Sequence, residues 1–220
     1  MKISPTLTEV KEIAKTGKYD ILPVSCEILS DFITPIEAMR ILQNVSTHCY
    51  LLESAQANEA WGRYTFLGYD PKLEINCIDG HMKLGKLSVE TENPSEYIRQ
   101  ILSEYKSPKF DYLPSFTGGL VGYFSYDYLG YKEKSIRGKA RDTEDFKDVD
   151  LMLFDKVIAF DNLCQKIILI ANMSLDAPET GYNKAIVELK QLRELLMHGE
   201  KKQNMGGKLL GEVTPLFEKE

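Results

Sequence analysis

Leu151-Met152-Leu153-Phe154-Asp155-Lys156-Val157-Ile158-Ala159-Phe160 and, after a short gap, Cys164-Gln165-Lys166-Ile167-Ile168-Leu169-Ile170-Ala171 decide the fold. Each run reads as one largely buried strand, because Val, Ile, Leu and Phe dominate it and charge is sparse. The turn signal at Asp161-Asn162 is tight, so the two strands lie antiparallel. Such a pair needs elements to cover it, and the flanking sequence supplies them.

On the C-terminal side, Pro178 to His198 is the clearest helix, with Ala185, Ile186, Leu189, Leu192, Leu195 and Leu196 along one side and Gly199 as its stop. On the N-terminal side, Leu7, Val10, Ile13 and Ala14 recur at helical spacing behind Thr6, and Gly17 ends that helix. Ile21 to Ile28 alternates as a strand, and Pro23 confines it to an edge or a strand start. Thr34-Pro35-Ile36-Glu37 opens a second helix with a capping box and a proline at the first helical position, placing Ile36, Met39 and Leu42 on one face. Leu73 to Ile78 and His81 to Leu84 alternate on either side of Asp79-Gly80, a hairpin with a type I′ turn; His81 sits at that turn as a solvated side chain. Asn93-Pro94-Ser95-Glu96 starts another helix, reaching Tyr105. The sum is an α+β fold of mostly antiparallel, β-sandwich-like sheets with flanking helices.

The 220 residues, 43% of them hydrophobic and 27% charged, suit a globular protein with a substantial core. A net charge of −6 and no basic run longer than Lys201-Lys202 argue against nucleic acid as a partner. No apolar stretch approaches the roughly 20 residues that cross a bilayer, and Met1-Lys2-Ile3-Ser4-Pro5 does not lead into a secretory signal, so the cytoplasm is the default location. Cys26, Cys49, Cys77 and Cys164 are widely spaced, without a CxxC or a histidine at ligand spacing, and read as reduced and mostly structural. Lys132 to Asp150 is highly charged and aperiodic, a long exposed connection. Residues 1–199 form the domain, and 200–220 read as a linker or tail.

Two stretches stand out for function. Leu51-Leu52-Glu53-Ser54 is an apolar strand that ends in a carboxylate and a hydroxyl, so its body packs while its rim offers hydrogen bonds to a small polar ligand. After a polar turn at Gln56 to Glu59 comes Trp61-Gly62-Arg63-Tyr64-Thr65-Phe66-Leu67-Gly68; if this strand pairs with the first, Arg63 lies near Glu53. Phe116-Thr117-Gly118-Gly119-Leu120-Val121-Gly122-Tyr123, the second, signals close backbone approach beside a packed core, followed by a turn into a short helix. It is no phosphate loop, for it lacks the glycine spacing and the Gly-Lys-Ser or Gly-Lys-Thr such loops need. No paired carboxylates on a helix, no Ser/His/Asp set and no metal cluster occur, so no catalytic residue and no metal ligand is assigned.

Taken in order and at these separations, Leu51 to Ser54, Gly62 to Gly68 and Phe116 to Tyr123 resemble the N-terminal domain of anthranilate synthase component I, one of the chorismate-utilising enzymes. The glutamate of Leu-Leu-Glu-Ser favours that family over aminodeoxychorismate synthase component I, which often carries aspartate there. The resemblance implies a longer protein that makes anthranilate and pyruvate from chorismate and ammonia, with magnesium. The ammonia would come from a glutamine amidotransferase subunit, component II. The chorismate and magnesium residues would belong to a C-terminal catalytic domain beyond the linker, leaving this chain inactive by itself. It also implies that this domain carries part of a tryptophan feedback site. Ser54 would bond the amino-acid end of the ligand, Glu53 would approach its ammonium and Leu52 would touch the indole. Arg63 would either hold Glu53 or lie near the ligand carboxylate. The other readings are aminodeoxychorismate synthase component I and a free-standing amino-acid-binding module.

Overall fold

The computed structural model describes residues 1–54, 62–133, 135, 146–202 and 211. In chain order its elements are β1 (Ile3–Ser4), α1 (Leu7–Lys15), β2 (Ile21–Leu29), α2 (Pro35–Val45), β3 (Cys49–Leu52), β4 (Tyr64–Tyr69), β5 (Leu73–Ile78), β6 (His81–Leu84), β7 (Leu87–Glu90) and α3 (Pro94–Ser103). They are followed by β8 (Gly119–Phe124), a 3-10 helix (Tyr126–Tyr131), β9 (Val149–Phe154), β10 (Lys156–Asp161), β11 (Lys166–Ser174) and α4 (Pro178–His198). Two antiparallel sheets result, one ordered β1-β2-β11-β10-β4-β3 and the other β7-β6-β5-β9-β8. The fold is α+β, as the residue patterns imply.

Local chemistry accounts for the helices. Thr6 and Thr34 each accept a hydrogen bond from the amide three residues on, while Glu9 and Glu37 reach back to the cap amides. Each reciprocal box satisfies two amides that a helix start leaves open. Helix α4 spans the stretch expected for it and buries Ala185, Leu189, Leu192 and Leu196 against the six-stranded sheet. On α2 the buried face differs from the expected one: Ala38, Ile41 and Leu42 are buried, whereas Ile36 is 55% exposed. The helix is rotated so that its small Ala38 faces the core, and the first-turn isoleucine points away.

The strand expected over Leu151–Phe160 is two strands. Asp155 alone separates β9, which pairs with β5 and β8, from β10, which pairs with β11 and β4, so the chain changes sheets at that residue. The charged pair Asp155-Lys156 is the only interruption between the two apolar runs, and so short a break is compatible with one strand as well as with two. Pro23 is likewise not on an edge strand: β2 pairs with β11 along nine residues. It is accommodated because β1 reaches only Ser25 and Cys26, leaving the Pro23 side of β2 without a ladder there among the described residues. The Asp79-Gly80 turn forms as expected, with φ of 48° and 83°, and β7 adds a third strand that the sequence reading did not include.

Three apolar layers hold these elements. One face of the six-stranded sheet packs on α1, α2 and α4 through Leu67, Ile158, Leu169 and their neighbours. Its other face gathers Val157, Ala159, Ile168 and Ile170 under Leu113 and Phe116. The five-stranded sheet packs on α3 through Ile75, Met82, Leu151 and Ile98. The charged connection falls mostly in 134–145, and the linker mostly in 203–220; apart from 135 and 211, those residues lie outside the described ones. Residues 200–202 turn back along α2, where the Lys202 amide donates to the Arg40 carbonyl at 3.1 Å.

Candidate functional site

Among the described residues strand β3 is an edge of the six-stranded sheet, and its alternation sends Cys49 and Leu51 toward the helices. Tyr50 and Leu52 take the opposite face. The strand pairs with β4 in the register Tyr50↔Gly68, Leu51↔Leu67 and Leu52↔Phe66, so the strand pairing expected around Arg63 is present. Leu52 is 47% exposed, and Glu53 and Ser54 continue from it, exposed and outside the strand.

Leu52 lines a cleft of about 400 Å³ together with Phe116, Leu120 and Gly122 of the glycine segment and Ile98 and Leu102 of α3. The two unusual stretches of the sequence, which belong to different sheets, therefore meet. The cleft walls are apolar, and the carboxylate and hydroxyl of residues 53 and 54 follow directly from its Leu52 wall. Such a site can take a flat apolar ring while leaving a charged end within reach of hydrogen-bonding groups.

The glycines make this wall possible. Gly122 has φ of 151°, and a Cβ there would sit 1.9 Å from the Asp150 carbonyl oxygen on β9. Gly118, at φ 143°, would place a Cβ 2.6 Å from Nδ2 of Asn172 and 3.0 Å from the Phe154 carbonyl. Close backbone approach, read from the sequence, is thus what these positions provide.

Behind the wall, Tyr50 packs edge-on against Phe154 (ring centroids 4.7 Å apart) and Phe116 (6.4 Å). Its ring lies across Gly68, where a Cβ would stand 2.2 Å from Cε1. The Tyr50 hydroxyl is buried and has no hydrogen-bond partner among the described residues, and burial pushes its pKa well above the tyrosine range. Tyr50 was not singled out from sequence; the alternation of β3 was the available signal.

Arg63 is placed differently from the expectation that it holds Glu53. Its guanidinium grips Asp161, Nε to Oδ1 at 3.1 Å and Nη2 to Oδ2 at 2.7 Å, and stacks over Tyr64 at 4.9 Å. Asp161 also accepts from the amides of Leu163 and Cys164, so this pair fastens the β10–β11 turn. The carboxylate won because it is nearly buried and fixed at a turn, whereas Glu53 is exposed.

The four cysteines are free thiols; Cys26 and Cys77 are buried, but Cys164 is exposed, 3.7 Å from Arg63, and has no place in a core. His81 is exposed beside Glu90. Among the described residues no group of three or more His, Cys, Asp or Glu could hold a metal ion, and no helix is long and apolar enough to cross a membrane.

No family model matches the chain. Among known proteins it is similar to anthranilate synthase component 1 of Acetivibrio thermocellus, 34% identical over 87% of this chain and 39% of the relative. The corresponding protein of Pseudomonas aeruginosa is 36% identical over 86% of this chain and 39% of its own length. A crystal structure of anthranilate synthase component I from Streptococcus pneumoniae aligns over 76% of this chain and 36% of its own, with 25% identity and a TM-score of 0.49. The chain thus spans about two-fifths of the length of the curated relatives it matches. By sequence it is a homologue of the N-terminal part of anthranilate synthase component I.

Proposed function

We infer that this chain supplies the tryptophan-sensing part of an anthranilate synthase component I. The carrying observation is the apolar cleft that joins Leu52 to Phe116 and Leu120, with Glu53 and Ser54 next in the chain. In this reading the indole lies against Leu52 and the glycine segment. The Glu53 carboxylate receives the ligand ammonium and the Ser54 hydroxyl bonds its amino-acid end. Charge-assisted bonds of that kind are the stronger sort and select a zwitterion over a plain indole. Arg63, committed to Asp161, holds the turn beside this strand, and any approach to the ligand carboxylate would have to compete with that pair.

The longer protein would convert chorismate and ammonia to anthranilate and pyruvate in tryptophan synthesis. Its ammonia would come from a glutamine amidotransferase subunit, component II. The magnesium that such chemistry uses has no ligand group among the described residues, and none of them is assigned to it. This chain's part would be regulatory: inhibition requires that tryptophan bind one arrangement of the longer protein more tightly than another. It would act in the cytoplasm and make no anthranilate alone.

The test is a titration of this chain with L-tryptophan followed by amide chemical shifts up to millimolar ligand. Saturable shifts at Leu52 to Ser54 and at Phe116 to Gly122 are expected, and they should weaken about tenfold in Ser54→Ala. No shift at either segment at millimolar tryptophan defeats the reading.

A further inference from the structure

We propose that Asn172 is the positioning residue of the cleft: its side-chain amide ties the Thr117–Gly118 entry of the glycine segment to the six-stranded sheet and so fixes the wall opposite Leu52. This rests on the cleft being a ligand site, as argued above.

Asn172 is a half-buried residue of β11, near the point where the chain changes sheets. Its Nδ2 donates to the Thr117 carbonyl at 2.6 Å and to the Asp155 carbonyl at 3.0 Å. The Asn172 backbone amide also donates to Asp155, at 2.8 Å. Both side-chain partners are carbonyl oxygens, so only the amide nitrogen, with its two hydrogens, can serve them together. Asp155 is the one residue between β9 and β10, and Thr117 immediately precedes the Gly118-Gly119 pair that leads into β8. One side chain thus joins the sheet-changing residue, the central sheet strand and the start of the cleft wall.

Gly118 shows how close this contact is, because a Cβ there would collide with Nδ2 of Asn172. Phe116 on one side of the clamp, with Leu120 and Gly122 on the other, lines the cleft, whereas Asn172 does not. With the Thr117 carbonyl released, the backbone of this segment loses its side-chain tie to β11, and Phe116 is left to its ring contacts with Tyr50 and Phe66 and its packing over Ile168 and Ile170, so that its position relative to Leu52 is less closely fixed.

The test compares Asn172→Asp with Asn172→Ser in the 220-residue chain. Aspartate keeps the shape and offers acceptors where donors are needed; serine is smaller and keeps one donor. A space-filling role makes aspartate the milder change, and a donor role makes serine the milder one. We expect tryptophan affinity to fall about tenfold or more in Asn172→Asp and less in Asn172→Ser, with faster amide exchange confined to residues 117–122. Wild-type affinity and exchange in Asn172→Asp, or a larger loss in the serine variant, overturn the proposal. If the aspartate variant does not fold, Asn172→Ser alone decides, since unchanged affinity and exchange there overturn it equally. Should the wild-type chain bind no tryptophan while exchange at 117–122 still follows the serine-over-aspartate order, the clamp stands and the ligand reading falls; failure of both measurements removes both.

Discussion

Arg63 and Asp161, 98 positions apart in sequence, form a two-point ion pair in which the aspartate side chain is 4% exposed and the arginine 38%. The pair joins the residue just before β4 to the end of β10 and fastens the turn into β11. Arg63 holds the Asp161 carboxyl below the usual carboxylate range, with the Cys164 amide adding to the effect. A depressed carboxylate pKa contributes stability above the unfolded value, near 3.9, and loses it as pH falls through the folded value. Arg63→Ala should therefore cost about 2 kcal/mol at neutral pH, and the gap from wild type should hold down to about pH 4 and shrink below it. Urea unfolding at several pH values reads this; a gap that widens on acidification contradicts it.

Tyr50 and Gly68 answer one another across β3 and β4. Gly68→Ala drives a methyl into a ring already enclosed by Phe154 and Phe116, and should destabilise by about 1–3 kcal/mol. Tyr50→Phe removes only a buried hydroxyl that has no partner among the described residues, so the thermal midpoint should hold or rise. A marked loss of stability in Tyr50→Phe would show that the hydroxyl is bonded after all.

The capping boxes offer a local control. Thr34→Ala should cost about 1 kcal/mol, and Thr34→Ser almost nothing, because serine presents the same acceptor to the Glu37 amide. Equal losses in the two variants would locate the effect in the threonine methyl instead.

For regulation, Ser54→Phe in the longer protein should relieve inhibition by tryptophan while leaving uninhibited turnover within about twofold, as expected for a contact outside the chemistry. Anthranilate fluorescence against tryptophan concentration measures it. Unaltered inhibition in both Ser54→Phe and Ser54→Ala would remove Ser54 from the site.

Gly122→Ala tests the wall itself. Its Cβ would lie 1.9 Å from a backbone oxygen, with no flexible side chain to give way, so β8 must move off β9. A loss above about 3 kcal/mol or failure to fold is expected, and a variant with wild-type stability would contradict the close approach.

Much of this was legible along the chain. The helix starts at Thr6 and Thr34, the Asp79-Gly80 turn and the whole of α4 depend on residues within a few positions of one another, where hydrogen-bond chemistry and periodicity act directly. The strand that ends at Leu52 and leads into Glu53-Ser54 was legible for the same reason. The exit from β9 into a different sheet at Asp155 was not, because the single charged pair Asp155-Lys156 between two buried apolar runs is compatible with one strand as well as with two. Nor could the sequence say which face of α2 would turn inward, since Ile36 and Ala38 are both acceptable to a core and only the space above the sheet chooses.

By itself, then, the sequence determined most of the elements, their antiparallel class and the family whose N-terminal part they resemble. Tertiary structure decided the partners: Asp161 rather than Glu53 for Arg63, Asn172 for Thr117, and Phe116 and Leu120 for Leu52. Hydrophobic patterning is degenerate about which buried strand meets which, whereas a salt bridge, an amide clamp and a cleft wall exist only once backbones far apart in the chain are fixed side by side.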